Sequence, residues 1–323
     1  MSSINQKSEN SYPKPVTSLG IKTDPINTRY SFEWLCQLLK EEGIKYIQLG
    51  AFFEMFHMDG DDSYFIKLRE TAQKHGLKLK SMFSAYREFG GFFYDDPAME
   101  KATDRMYRKY IHAAGVLGLD YAGTNPGAVY RDQFHKKDKG TEVYLKHMKE
   151  YQHLAKEVGL KALTIEPMSC MAEPPTTPDE MTYYISTLNN YHKQNPTSTV
   201  PVWLCGDISH GLADINKQVV YSNIDLFKAA LPMMNEFHFK NTDAIYNSTF
   251  GFSDEEIKKG IVNLQEIKNI CDNGNWPVDD VVGYLEIMGP KIGRDYTDPF
   301  LGDALRTSLR AIKKVFSTQP ELA

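Results

Sequence analysis

The chain has 323 residues, of which 41% are hydrophobic and 24% are charged, so it is long and apolar enough to bury a large core. Its formal net charge of −5 argues against a nucleic-acid-binding surface, which needs an excess of basic residues. The four cysteines are far apart and form no CxxC pair, and no segment approaches the roughly 20 apolar residues that span a bilayer. We therefore expect a cytoplasmic protein in a reducing compartment, without nucleic-acid or membrane partners.

After a polar tail over residues 1–17, which shows no secretory signal, short apolar segments alternate with amphipathic ones. The apolar segments predict eight strands, at 18–23, 45–52, 77–85, 120–127, 161–167, 200–207, 235–242 and 280–288. The amphipathic segments predict eight helices, at 29–43, 63–76, 97–118, 142–159, 177–194, 223–234, 253–274 and 299–316.

The predicted strands do not alternate between polar and apolar residues, which is typical of parallel strands that are covered on both faces. Eight strand–helix units in succession favour a single (β/α)8 barrel over residues 18–316, with a short tail over 317–323. The first strand–helix turn contains no GxGxxG motif, which disfavours a dinucleotide-binding fold.

A polar residue stands at the carboxyl end of each of four successive predicted strands. These residues are Glu166 in ALTIEP, Asp207 in VWLCGD, His238 in EFHFKN and Glu286 in GYLEIM. Because neighbouring parallel strands end at the same rim of a barrel, the four side chains should converge. Three carboxylates and a neutral imidazole need a cation to be stable together. The sequence therefore predicts a divalent-metal site.

Carboxylate and imidazole ligands without a thiolate suit Mn²⁺ best in our interpretation, with Co²⁺ or Mg²⁺ as alternatives. Such a metal polarises a carbonyl and a neighbouring hydroxyl. Glu166 and Glu286 would face each other across the barrel mouth, where two carboxylates can exchange a proton with a carbon beside a carbonyl.

The order Glu, Asp, His, Glu at strands five to eight resembles the xylose-isomerase-like barrels, in particular the group of ketose 3-epimerases and hydroxypyruvate isomerases. Asp207 and His210 in GDISH resemble the DxxH of that group. The resemblance implies that Glu166 and Glu286 are both metal ligands and the acid/base pair. It implies that Asp207 and His238 are ligands only, and that His210 binds substrate oxygens.

Several further residues are candidates for substrate binding. The epimerases usually carry an Arg a few residues after the strand-seven His, where this chain has Ala244. Lys240 could serve instead, because it lies two residues from His238 and so on the same face of the strand. The remaining candidates lie in loops that follow strands, namely Glu173, Glu54, His57 and Asn125.

The resemblance and the predicted site favour a metal-dependent isomerase that interconverts a small aldose and ketose through a cis-enediolate. A ketose 3-epimerase uses the same groups with another substrate pose, and a dehydratase of cyclic polyols uses the same proton abstraction. An abasic-site endonuclease is disfavoured by the acidic balance, and a non-catalytic binding barrel by the facing glutamates. By the same resemblance we expect a homo-oligomer, a dimer or a tetramer, with a small sugar as substrate.

Overall fold

The computed structural model describes residues 17–50, 57–85 and 87–316. Most of the two predicted tails lies outside this part of the chain, and the limits of 18 and 316 for the barrel stay a prediction. In the described residues, no helix combines the length and the apolar character needed to cross a membrane.

Eight parallel strands close into a barrel, which confirms the predicted fold class. The strands are β1 Thr17–Lys22, β2 Tyr46–Leu49, β3 Lys78–Ser84, β4 Tyr121–Thr124, β5 Ala162–Ile165, β6 Val202–Asp207, β7 Met234–Phe239 and β8 Val281–Leu285. Each strand pairs with the next one in sequence, and β1 pairs with β8 to close the barrel. The loops that follow the strands therefore share one rim, where barrel enzymes place their active sites.

Nine α-helices are described around the barrel. They are α1 Phe32–Glu41, α2 Ser63–Lys74, α3 Pro97–Leu117, α4 Lys137–Glu157, α5 Pro178–Gln194, α6 Asn223–Ala230, α7 Asp254–Lys259, α8 Leu264–Asn273 and α9 Leu301–Phe316. Their apolar faces and the outward side chains of the strands form one continuous core, in which Leu35, Ile47, Leu188, Leu204 and Leu309 have no exposed surface. Such burial of apolar side chains is the main stabilising contribution to a barrel.

Two short antiparallel ribbons, which the sequence analysis did not predict, extend the loops after β6 and β7. Leu212–Ala213 pairs with Val219–Tyr221, and Asn241–Thr242 pairs with Thr249–Phe250. Both ribbons lie on the side of the barrel where the candidate residues cluster, because they follow the carboxyl ends of their strands directly.

The predicted helix over 253–274 was wrong as one continuous element. The structure contains two helices, α7 and α8, separated by residues 260–263. The buried Asn241 side chain occupies the break, where its Oδ1 accepts from the Val262 N–H at 3.1 Å and its Nδ2 donates to the Glu256 carbonyl at 3.3 Å. A side chain on Gly260 would overlap Asn241, so glycine is needed at this approach.

Helix α4 begins at Lys137, five residues before the predicted start at 142. The additional turn contains Gly140, a residue that usually weakens a helix. Here a Cβ on Gly140 would come within 2.6 Å of the Phe93 ring, so the glycine allows the helix to pack closely against the loop after β3. Tertiary packing therefore outweighs the weak local preference.

Ion pairs lie at the amino-terminal end of the barrel, opposite the end that contains the candidate functional residues. Lys80 Nζ lies 2.7 Å from Asp120 Oδ2 and also binds the Asp280 carboxylate, and Lys161 Nζ lies 3.1 Å from Asp120 Oδ1. Burial alone would raise the pKa of Asp120, but its bonds to these lysines outweigh burial and lower the pKa to about 2.

We expect Asp120→Asn to lower the free energy of unfolding at pH 7 by about 1–3 kcal/mol, because the buried Lys80 ammonium would then keep only the Asp280 carboxylate as a negative partner. A carboxylate whose pKa is lowered by folding stabilises the fold at pH values above its unfolded pKa of 3.8. This contribution is lost as the pH falls through the folded pKa of about 2. The difference between wild type and variant in urea unfolding should therefore shrink as the pH falls below about 4. Asp272→Asn, which removes an exposed helix pair with Lys268, serves as the control. A pH-independent difference would contradict this account.

Candidate metal centre

The four residues at the ends of strands β5 to β8 converge on one point. Each of Glu166, Asp207, His238 and Glu286 offers a ligand atom within 4.8 Å of the others. All four are buried, and His238 has no exposed surface. We call these four residues the rim cluster.

The pairing register of the strands produces this convergence. Asp207 lies opposite His238 in the β6–β7 ladder, and Tyr284 lies opposite His238 in the β7–β8 ladder. Glu286 continues β8, since its N–H donates to the Phe239 carbonyl at 3.0 Å. Side chains two residues apart on a strand point to the same face, so Glu286 and Tyr284 both point inward.

His238 lies at the centre of the rim cluster. Its Nδ1 is 2.9 Å from Glu166 Oε1 and 3.4 Å from Glu286 Oε2. On the other side of the ring, Nε2 is 2.8 Å from the amide oxygen of Gln48. The Phe83 ring contacts the imidazole edge to face, with centroids 5.4 Å apart. The imidazole is therefore held on both sides and directs Nδ1 at the two glutamates.

Two lysines bind the carboxylates of the rim cluster. Lys240 Nζ lies 2.6 Å from Asp207 Oδ2 and 2.7 Å from Glu286 Oε2. Lys22, at the end of β1, has no exposed surface, and its Nζ bonds to Glu286 Oε1 and lies 3.1 Å from Asp24 Oδ2. Each oxygen of Glu286 thus contacts an ammonium group.

These contacts shift the titration of the groups involved. Burial lowers the pKa of Lys22 and of Lys240, but the neighbouring carboxylates outweigh burial and raise both above the ordinary value. Burial raises the pKa of Glu286, but His238, Lys22 and Lys240 outweigh it and hold the pKa well below the ordinary range. Burial likewise raises the pKa of Glu166, and His238 more than reverses this effect.

The donor set fits a divalent cation. The three carboxylates of the rim cluster face two ammonium groups when His238 is neutral, as a histidine that binds a metal is. The excess of negative charge lies in a buried region, where uncompensated charge is costly. Oxygen and imidazole ligands of this kind suit a hard or intermediate divalent metal.

Two of the other predicted site residues, Asn125 and His210, lie beside the rim cluster. Asn125 is buried, and its Nδ2 donates to Glu166 Oε2 at 2.9 Å. His210 Nδ1 donates to the Pro167 carbonyl at 2.7 Å, and its Nε2 lies 3.4 Å from Asp207 Oδ2. Both therefore adjoin the rim cluster.

Two of the predicted loop residues have neighbours other than the rim cluster. Glu173 is buried in the loop after β5, with its Oε1 3.6 Å from an Arg131 guanidinium nitrogen. His57 is exposed and stacks on the Tyr64 ring, with centroids 3.7 Å apart. Glu54 lies outside the described residues. Substrate binding by these residues stays a prediction.

Lys22, Asp24 and Gln48 were missed by the sequence analysis. Lys22 ends the apolar segment SLGIK and Gln48 interrupts the apolar segment YIQL, so a polar residue within a buried strand was the available signal. The predicted metal ligands all lie at the ends of β5 to β8, whereas these three residues lie in or directly after β1 and β2, which belong to the same rim.

A second group with possible ligand atoms lies on the outer helices α3 and α4, formed by Asp104, His147 and Glu150. Arg108 already bonds to Asp104 at 3.0 Å and to Glu150 at 2.8 Å. This arginine provides the positive charge that the two carboxylates need, so the rim cluster is the better candidate metal centre.

A family model described as the xylose isomerase-like TIM barrel matches residues 36–289. The chain belongs to this family. The match confirms the resemblance that the sequence predicted from the order of the rim-cluster residues. No curated protein sequence matches the chain significantly.

Solved structures similar to this xylose isomerase-like barrel include a Rhodospirillum rubrum ATCC 11170 protein, provisionally described as a xylose isomerase. It has a TM-score of 0.76 and 17% identity, over 94% of this chain and 100% of that chain. D-psicose 3-epimerase, crystallised in the presence of D-fructose, has a TM-score of 0.67 and 15% identity, over 93% and 99%. The IolI protein with a bound zinc atom has a TM-score of 0.62 and 16% identity, over 94% and 100%. At these identities the likeness shows the fold alone.

We expect Lys22→Met to lower the free energy of unfolding of the metal-free protein by about 3–5 kcal/mol, because it removes the ammonium partner of the buried Asp24 and one of the two ammonium groups that bind Glu286. Mn²⁺ should restore part of this loss, since a ligand that binds only the folded state stabilises it. Urea unfolding with and without Mn²⁺ measures both effects.

Lys74→Met is the matched control, because Lys74 pairs with Glu33 at the exposed surface. It should change stability little, with or without the metal. Equal losses in the two variants would contradict the role of Lys22 as a counter-charge.

Proposed function

We propose that the protein is a divalent-metal-dependent sugar isomerase that interconverts a small aldose and a ketose. The observation that supports this most strongly is the position of the two glutamates. Glu166 and Glu286 follow β5 and β8, which are separated by two strands in the barrel, and yet both carboxylates contact His238 Nδ1. Two carboxylates on opposite sides of one point can act on the two neighbouring carbons of a substrate placed between them.

In this proposal Glu166, Asp207, His238 and Glu286 hold the cation. When bound, it supplies Lewis-acid polarisation of adjacent substrate oxygens. The relatives whose names include xylose isomerase and D-psicose 3-epimerase support sugar chemistry for this barrel, and the zinc atom in the IolI protein supports a metal. Mn²⁺ stays our first choice, with Co²⁺ and Mg²⁺ as alternatives.

The reaction requires two proton transfers between carbon and carboxylate. One glutamate removes the proton from C2 of the aldose, and the C–H electron pair forms the C1–C2 double bond of a cis-enediolate while O1 takes the carbonyl electrons. The C2 proton passes through water from the first glutamate to the other, which returns it to C1, where the C1–C2 double-bond pair forms the new C–H bond. The O2 hydroxyl gives up its proton, and the O2–H electron pair forms the C2 carbonyl of the ketose. The proton lost from O2 ends on O1, so atoms and charge balance.

Neighbouring side chains position these groups. Asn125 donates to Glu166 Oε2, which leaves the other carboxylate oxygen directed at the centre of the rim cluster. Lys240 remains 12% exposed toward the barrel mouth and can donate to a substrate oxygen that develops negative charge. His210, which is partly exposed beside Asp207, can hydrogen-bond a substrate hydroxyl.

The test uses metal-stripped protein resupplied with Mn²⁺, Co²⁺ or Mg²⁺ and incubated in D₂O with aldoses and ketoses of four to six carbons. We expect NMR to show aldose–ketose interconversion, and we expect Glu166→Gln and Glu286→Gln each to lower turnover by about 10²–10⁴-fold, because each removes one proton acceptor. Glu42→Gln is the control, since Glu42 is also buried but bonds to Arg306 and Arg310 on the outside of the barrel.

The product pattern decides between the related reactions. Formation of ketose epimers without any aldose would indicate an epimerase and not an isomerase. Loss of water to give an absorbing enone would indicate a dehydratase. Failure of the wild-type protein to bind any of the three metals would contradict the proposal as a whole.

A further inference from the structure

Polar side chains continue below the rim cluster into the interior of the barrel. Gln48, Ser81 and Glu236 all have no exposed surface. The Gln48 amide nitrogen donates to Ser81 Oγ at 3.0 Å, and Ser81 also hydrogen-bonds the Glu236 carboxylate. Barrel interiors are usually filled with branched apolar side chains, and a buried polar group without a partner costs about 1–3 kcal/mol. A connected set of polar groups at this depth therefore calls for a role.

The upper end of this set contacts His238. Gln48 Oε1 lies 2.8 Å from His238 Nε2. An amide oxygen can only accept, so the hydrogen in this bond belongs to Nε2. The Ser81 hydroxyl gives its single hydrogen to the Glu236 carboxylate and therefore accepts from the Gln48 amide nitrogen, which fixes the amide oxygen toward the imidazole.

The other imidazole nitrogen faces the rim cluster. His238 Nδ1 is 2.9 Å from Glu166 Oε1 and 3.4 Å from Glu286 Oε2. A histidine that binds a cation is neutral and carries one hydrogen, so a hydrogen held on Nε2 leaves the lone pair of Nδ1 to face a cation at the centre of the cluster.

We propose that Gln48 is a positioning residue that keeps the hydrogen on His238 Nε2 and so presents Nδ1 to a cation in the rim cluster. The inference rests on the metal site of the proposed function. Histidine ligands in proteins generally donate their second N–H to a carboxylate, a carbonyl or water, and loss of that acceptor typically weakens metal binding 10–100-fold. In this chain the acceptor is the neutral amide of Gln48, in a region that already holds an excess of carboxylates.

Cys205 is the competing neighbour, because its Sγ lies 3.5 Å from His238 Nε2. A thiol that donated to Nε2 would place the hydrogen on Nδ1, the opposite tautomer. The Gln48 oxygen is 0.7 Å closer than Sγ, and a thiol is a weak donor. Gln48 therefore determines the tautomer, and Cys205→Ala should leave it unchanged.

The strand register places Gln48 at this position. Gln48 is paired with Ser81 in the β2–β3 ladder and with Lys22 in the β1–β2 ladder. Gln48 and Lys22 therefore occupy the same level of the barrel, where Lys22 binds Glu286 and Gln48 binds His238. Strands β1 and β2 therefore contribute side chains to the same site as strands β5 to β8.

The first test is Zn²⁺ affinity, measured by calorimetric titration of the metal-stripped protein. We expect Gln48→Leu to weaken Zn²⁺ binding about 10–100-fold, and Gln48→Glu, which keeps an acceptor at Nε2, to remain within about fivefold of wild type. Gln152→Leu is the matched control, because Gln152 is also fully buried but bonds to the Leu188 and Val200 carbonyls on the outside of the barrel. Equal weakening in Gln48→Leu and Gln152→Leu would assign the effect to lost stability and overturn the proposal.

The second test observes the tautomer directly, by ¹⁵N NMR of histidine-labelled, metal-free protein at alkaline pH, where the imidazole is neutral and no bound metal fixes its tautomer, with His238→Asn to assign the signal. We expect the hydrogen on Nε2 in the wild type and in Cys205→Ala, and a mixture of tautomers in Gln48→Leu. A hydrogen on Nδ1 in the wild type would overturn the proposal even if the metal binds and the enzyme turns over.

If the wild type binds no zinc, the proposed metal site fails separately, and the metal-free protein still decides the role of Gln48. A hydrogen on Nε2 that becomes exchangeable with solvent in Gln48→Leu would support the Gln48 contact. An unprotonated Nε2 would refute it.

Discussion

The compensation of buried negative charge is the constraint on which the site depends. Carboxylates from three strands lie within 4.8 Å of one another at the rim, where water is largely excluded. In such a region their mutual repulsion is far stronger than in water. Lys22 and Lys240 reduce the excess without removing it, so the folded barrel retains an affinity for further positive charge.

The parallel barrel is what makes this gathering possible. A closed sheet with in-register neighbours brings the ends of all eight strands to one rim, so residues far apart in sequence become neighbours. Lys22 and Glu286 are separated by 264 residues and yet share a bond, because β1 pairs with β8. Strands β1, β2 and β5 to β8 contribute polar side chains at this level, whereas β3 contributes the Phe83 ring that contacts His238.

The sequence predicted the parts of this arrangement that depend on local pattern. Eight strand–helix units can be recognised from apolar segments and helix ends, and Glu166, Asp207, His238 and Glu286 stand at predictable strand ends. Contacts between distant segments carry no local signal. The division of residues 253–274 depends on the Asn241 side chain, and the part played by Lys22 depends on which strand closes the barrel.

The two glutamates of the rim cluster have different surroundings, although the proposed reaction uses them as a pair. Both oxygens of Glu286 bond to ammonium groups, whereas the second oxygen of Glu166 accepts from the neutral amide of Asn125. A carboxylate held by fixed positive charges binds a proton less readily than one held by a neutral donor. The pKa of Glu286 accordingly lies well below its ordinary value, with Lys22 and Lys240 among the causes. A substrate between the two carboxylates would meet the weaker base on the Glu286 side, which favours Glu166 as the group that removes the proton from carbon.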